Sequence, residues 1–181
     1  PGNKPSKPTE VAMLYDQEAL YVGVKCFDNP DSVSRVLSER DDFNPNLDMF
    51  VIFIDTYNDR QNGFSFGITS RGVQIDSKIF DGDYNELLNL VWRSKTEINA
   101  EGWFAELKIP YSALRFPKSN VQDWNINFGR QISRLREENT WNTVNPDLEN
   151  YLLESGKLKI FKKKTRASSR RERTQGRLRA C

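Results

Sequence analysis

At 181 residues, 37% of them hydrophobic and 12% aromatic, the chain has room for one domain with its own core and needs no disulfide or metal to hold it. It contains no histidine, which excludes Ser-His and Cys-His nucleophile systems, histidine metal sites and imidazole general bases, and its two cysteines, Cys26 and Cys181, cannot build a disulfide framework. The net charge of +2 hides a split, since nine of the 27 basic residues and one of the 25 acidic ones fall in 162–181, leaving residues 1–161 with 18 basic against 24 acidic side chains.

The first eight residues, with Pro1, Pro5 and Pro8, read as an extended lead-in, and beyond them the hydrophobic period is two rather than 3.6. Ala19 to Phe27 alternates so that Leu20, Val22, Val24 and Cys26 share one face, with Cys26 a small buried hydrophobe. A short polar stretch, Asp31 to Glu39, is the one helical candidate of note. Met49 to Thr56 is continuously apolar, as a central strand covered on both faces would be. Asn62-Gly63 predicts a turn before the strand Phe64–Thr69, and Arg71-Gly72 another before Val73–Ile79.

Further strands are predicted at Val91 to Ile98 and Trp103 to Ile109, joined by Asn99-Ala100-Glu101-Gly102. In the second of them Trp103, Ala105, Leu107 and Ile109 face the core, while Phe104, Glu106 and Lys108 face the other way. Pro110 ends that strand and Tyr111–Leu114 makes one helical turn. Trp124 to Ile132 alternates with Trp124, Ile126, Phe128 and Ile132 inward, and Gly156 to Phe161 supplies a last strand. Roughly ten short strands separated by turns predict an all-β, two-sheet antiparallel sandwich with few short helical turns.

Four tryptophans carry the chemistry, because a sugar ring presents an apolar C–H face to an aromatic plane while its hydroxyls seek polar partners. Trp103 and Trp124 are in phase with inward residues and belong to the core. Trp92, after an acidic loop, and Trp141, among Asn139, Thr140, Asn142 and Asn145, are the candidates for stacking. Arg71, Gln74 and Arg130 are the polar groups that could accompany them in a ligand site; their plainer role is cross-strand pairing with Asp and Glu.

Asp81-Gly82-Asp83-Tyr84-Asn85-Glu86 places oxygen atoms at alternate positions as a calcium loop does, but Glu86 stands where that loop requires glycine. A solvated acidic turn is the plainer reading; no cofactor is required, and a structural calcium ion is the one candidate. No catalytic residue and no metal ligand is assigned. The acidic body excludes nucleic acid from the folded domain, since polyanion binding needs clustered Lys and Arg. Residues 162–181 are predicted to be a disordered basic tail. No run is apolar enough to span a bilayer, so a membrane would be met only through a larger parent protein.

The order of segments adds a resemblance. Thr9-Glu10-Val11-Ala12-Met13-Leu14-Tyr15-Asp16 is followed by Ala19-Leu20-Tyr21-Val22-Gly23-Val24, Arg40-Asp41-Asp42, Asp48-Met49-Phe50-Val51-Ile52-Phe53-Ile54-Asp55-Thr56 and Gly72-Val73-Gln74-Ile75-Asp76. Then come Glu101-Gly102-Trp103-Phe104-Ala105-Glu106-Leu107-Lys108-Ile109-Pro110, Leu114-Arg115-Phe116-Pro117 and Trp124-Asn125-Ile126-Asn127-Phe128-Gly129-Arg130. Over about residues 8–160 this series resembles the carbohydrate-binding module family 9-like domain, in the variant found at the N-terminus of large bacterial outer-envelope proteins.

The resemblance implies a sandwich that holds a glycan end between two tryptophans, which order along the chain assigns to Trp92 and Trp141. It also implies that the family's first strand precedes this sequence, which would leave a sheet edge open to pairing between copies. The resulting plan is an extended lead-in at 1–8, a β-sandwich at 9–161 and the basic tail at 162–181. The expected function is non-catalytic binding of xylan, cellulose or a cell-wall oligosaccharide by aromatic stacking, in an extracellular or cell-envelope protein. The alternative is a structural or interaction domain of an outer-envelope protein that has lost its sugar site.

Overall fold

The computed structural model describes residues 4–85, 89–145, 150–161 and 174–176. Among them run twelve strands: β1 (Thr9–Tyr15), β2 (Ala19–Phe27), β3 (Met49–Asp55), β4 (Asn62–Thr69), β5 (Gln74–Phe80), β6 (Asp83–Asn85), β7 (Arg93–Asn99), β8 (Gly102–Pro110), β9 (Val121–Ile132), β10 (Glu137–Thr140), β11 (Gly156–Phe161) and β12 (Thr174–Gly176). They form two antiparallel sheets. The first has the order β12-β1-β2-β8-β7; the second has the order β10-β9-β3-β4-β5-β6, with β11 beside the first half of β9 and β10 beside its second half. This is the sandwich that the period-two pattern predicts.

The main core lies between the sheets. Val11, Met13, Leu20, Val22, Val24, Trp103, Leu107 and Ile109 of the first sheet meet Phe50, Ile52, Ile54, Phe66, Ile68, Trp124, Ile126 and Phe128 of the second. Cys26 is buried with them, and burial pushes its thiol up to about 12, so it is inert at neutral pH. β3 is apolar from Met49 to Ile54 because its other face is covered too: Met49, Val51 and Phe53 pack with Ile75, Ile79 and Leu152, and Tyr151 stacks on Phe53 with centroids 4.5 Å apart. The second sheet is therefore buried on both faces, whereas the outer face of the first is open.

Two local expectations are corrected. Asp31 to Glu39 is not a helix; a single 3-10 turn at Pro30–Ser32 gives way to irregular chain, pinned where Ser34 N–H bonds Asp48 Oδ2 at 2.9 Å. Val33, Val36 and Leu37 have helical spacing, but only Val33 is buried and the other two are exposed, so no helix face is covered. Asn62-Gly63 is not a turn but the start of β4; the reversal lies upstream, where Asp55 accepts the N–H groups of Tyr57, Asn58 and Arg60. Gly63 is needed inside the strand because a Cβ there would come within 2.8 Å of Leu152 Cδ1 and 2.9 Å of Ile54 O. Most of 162–181 lies outside the described residues, but Thr174–Gly176 is a strand on the edge of β1, opposite Met13–Tyr15. Free N–H and C=O groups along such an edge give even a polar segment hydrogen-bonding partners.

Candidate functional site

The residues expected to line a site are placed in three different environments. Trp92 is in the core, 5% exposed, its ring edge-on to Phe66 at 5.5 Å. Its indole N–H donates to Asp76 Oδ1 at 2.9 Å. Asp76 is itself fully buried and also accepts from the Arg40 guanidinium and, at 2.8 Å, from Leu90 N–H. Gln74 joins this cluster: its Oε1 accepts from Arg40 at 2.6 Å and its Nε2 donates to Ser94 Oγ at 3.0 Å. Asp76 sits opposite Phe66 on the inner face of the second sheet, so the buried carboxylate needs these donors. Trp92, expected as a stacking ring, is thus enclosed in the core.

Arg130 is likewise enclosed. At 4% exposure it crosses from β9 to the other sheet, donating to Pro8 O at 2.9 Å, Thr9 Oγ1 at 3.1 Å and Phe27 O at 3.0 Å, with Asp28 Oδ2 3.8 Å away. The period-two phase of β9 carried the signal, since Arg130 falls in step with inward Phe128 and Ile132. Arg71 is exposed on the turn before Gly72, whose positive φ of 83° makes the reversal between β4 and β5.

Trp141 differs from the other three tryptophans in being only partly buried. It sits at the notch where β9 exchanges β11 for β10 as its neighbour, Gly156 pairing with Ile126 and Thr140 with Gly129. Its backbone N–H donates to Phe128 O at 2.9 Å, and its ring leans on Phe128 with centroids 5.4 Å apart. Gly156 makes room for the indole, because a Cβ there would lie 2.4 Å from the six-membered ring. Asn127 stitches the notch shut beneath it, donating to Asn142 O and Glu154 O and accepting from Asn142 N–H. Asn142 Nδ2, near the same ring edge, has no hydrogen-bond partner among the described residues. The result is a fixed aromatic plate with amide groups around it.

Trp92 and Trp141 lean on different phenylalanines. Phe66, Ile52 and Phe128 stand in one row across the second sheet, so the phenylalanines that the two indoles touch are two strand spacings apart, about 10 Å. Ile52 lies between them, where a slot for a sugar would have to be.

The acidic segment at 81 is a hairpin turn: Asp81 and Gly82, with φ of 50° and 89°, join β5 to β6, and Glu86 lies outside the described residues. No group of three or more His, Cys, Asp or Glu that could hold a metal occurs among the described residues.

No protein-family model and no curated protein matches the chain. Solved structures do. A family 9 carbohydrate-binding module from Caldicellulosiruptor kristjanssonii in complex with cellotriose matches with a TM-score of 0.65 at 15% identity, over 94% of this chain and 84% of that one. A family 9 module from the same organism in complex with glucose gives 0.61 at 15% identity, over 86% and 78%. A candidate carbohydrate-binding protein from Bacteroides uniformis ATCC 8492 gives 0.68 at 13% identity, over 84% and 78%. The chain therefore has a fold like that of the family 9 carbohydrate-binding modules.

Proposed function

We propose that this domain is a non-catalytic glycan-binding module of an extracellular or cell-envelope protein, with Trp141 as its stacking ring. The observation that carries the reading is the seat of Trp141: a partly exposed indole fixed from behind by Phe128 and bounded by Gly156. An aromatic plate held in one orientation loses little conformational freedom when a sugar ring settles on it. The shared fold supports the same reading, because its solved neighbours include modules holding cellotriose and glucose.

A calorimetric titration of the whole chain with cellotriose, xylotriose and peptidoglycan oligosaccharides, with and without calcium, tests it. Saturable binding is expected, weakened in Trp141→Ala by about 2 kcal/mol, the scale of a buried aromatic anchor. Unchanged binding in that variant removes Trp141 from the site. One observation favours a second reading, an interaction domain without a sugar site: Trp92, half of the expected aromatic pair, is committed to Asp76 and Phe66 in the core. A flat titration from folded protein would select it.

A further inference from the structure

The outer face of the first sheet is open, and its side chains are set by register in three rows across β1, β2, β8 and β7. Leu14, Tyr21, Lys108 and Arg93 form one row; Ala12, Gly23, Glu106 and Lys95 the next. In the third, Glu10, Lys25, Phe104 and Glu97 follow in the same order. The small residues Ala12 and Gly23 leave a depression between the outer rows. It consists of two adjoining grooves of about 520 Å³ and about 240 Å³ that share Ala12, Gly23 and Glu106.

Gly23 is the informative residue. Glycine inside a strand costs about 0.5–1 kcal/mol relative to alanine, and it commonly marks a place where a ligand or another backbone approaches closely. At Gly63, Gly67, Gly129 and Gly156 the approaching atoms belong to this chain: Leu152, Ile75, Phe53 and Trp141 respectively. At Gly23 they do not. Among the described residues a Cβ there would meet nothing nearer than Ala12 O at 4.0 Å, and the backbone is not in the left-handed region. The fold leaves this space vacant without requiring it.

We propose that the depression over Gly23 binds a neutral, extended glycan chain, on a surface separate from Trp141 and going beyond the site assigned there. The lining suits that chemistry. Lys108, Arg93, Lys95 and Lys25 are interleaved with Glu106, Glu10 and Asp16, so donors and acceptors alternate, as sugar hydroxyls require. No single-sign field is built up to attract a polyanion. Two rings border the floor. Tyr21 is tied by its hydroxyl to Asp16 Oδ2 at 2.9 Å, with Lys108 Nζ 5.6 Å from its centroid, and Phe104 has Lys25 Nζ 5.7 Å from its own. At exposed sites such ammonium–ring contacts are worth only about 0.5–1 kcal/mol, so each lysine can move from the ring to a hydroxyl as a sugar stacks. The rings lie four strand residues apart in register, roughly 14 Å, which fits several sugar units better than one.

The test is an amide chemical-shift titration of the 15N-labelled whole chain with cellohexaose and xylohexaose, alongside the Gly23→Phe variant. Saturating shifts at Ala12, Gly23, Lys95 and Glu106 are expected, together with an affinity loss of roughly tenfold or more in Gly23→Phe for hexasaccharide binding at this face. Because a side chain at Gly23 enters open space, the variant is expected to melt no lower than the parent. Phe104→Ala provides a second lesion on the opposite border, with the same direction expected. Shifts confined to the Trp141 notch would overturn this proposal and leave the one above intact. Shifts at the outer face alone would support it and remove Trp141. No shift anywhere would overturn both, and preferential binding of heparin at these amides would overturn the assignment of a neutral ligand.

Discussion

Arg130 sits near the end of β9 between Gly129 and Gln131, and composition alone makes it look like a surface cation. Its place in the alternation says otherwise, and its guanidinium serves three backbone or hydroxyl oxygens of the opposite sheet. Removing it would take a charged donor from Pro8 O, Thr9 Oγ1 and Phe27 O while leaving Asp28 with Arg134, so Arg130→Ala is expected to lower unfolding free energy by about 1.5–3 kcal/mol in urea titrations. Trp92→Phe keeps a ring against Phe66 but deletes the N–H bond to the buried Asp76 carboxylate together with part of the indole's packing volume. A loss of about 1.5–3 kcal/mol is expected, with glycan affinity unchanged; a drop in affinity at constant fold would return Trp92 to the site. What could not be read from sequence at this scale is the Arg40–Asp76–Trp92 cluster, because its members come from three segments brought together only by the fold.

Among the elements, the strands were legible wherever one face is buried: Leu20, Val22, Val24 and Cys26 in β2 and Trp103, Ala105, Leu107 and Ile109 in β8 announce themselves by period two. The unbroken apolar run of β3 was legible as a doubly covered strand, although nothing in it names Leu152 and Tyr151 as the cover. Glycines were the weak point. Gly63 looked like a turn former, yet it is a strand residue that yields space to Leu152, and Gly156 gave no sign that it seats Trp141. Gly156→Ala should therefore unseat the indole without removing it. The expected readout is a red-shifted tryptophan emission and weaker glycan binding, both without global unfolding; an unchanged spectrum would show that the notch accommodates the methyl group by other means.

For the molecule as a whole, the two sheets are unequal: one is sheathed on both faces, the other offers its outer face to solvent. Acid should test how its exposed loops are held. Burial opposes ionisation of Asp16, Asp59 and Glu137, but hydrogen bonds outweigh it and hold all three carboxyls below their ordinary values; the donors include Glu18 N–H for Asp16, Asn62 N–H for Asp59 and Ser6 N–H for Glu137. A lowered folded value means the stabilisation is complete above the unfolded value, near ~4, and is lost as pH falls through the folded ones. Denaturation midpoints are expected to be insensitive to these groups between about pH 5 and 7 and to fall below about pH 4. The sandwich itself could be foreseen from alternation and turn chemistry, whereas the sites depend on which outward residues the two sheets leave uncovered.

The measurement closest to the central claim is the calorimetric titration of the intact 181-residue chain with cellotriose and cellohexaose. Saturable binding, weakened by Trp141→Ala and indifferent to Trp92→Phe, is the predicted result. A flat titration from protein that melts cooperatively would contradict the glycan-binding account and leave the sandwich as an interaction domain.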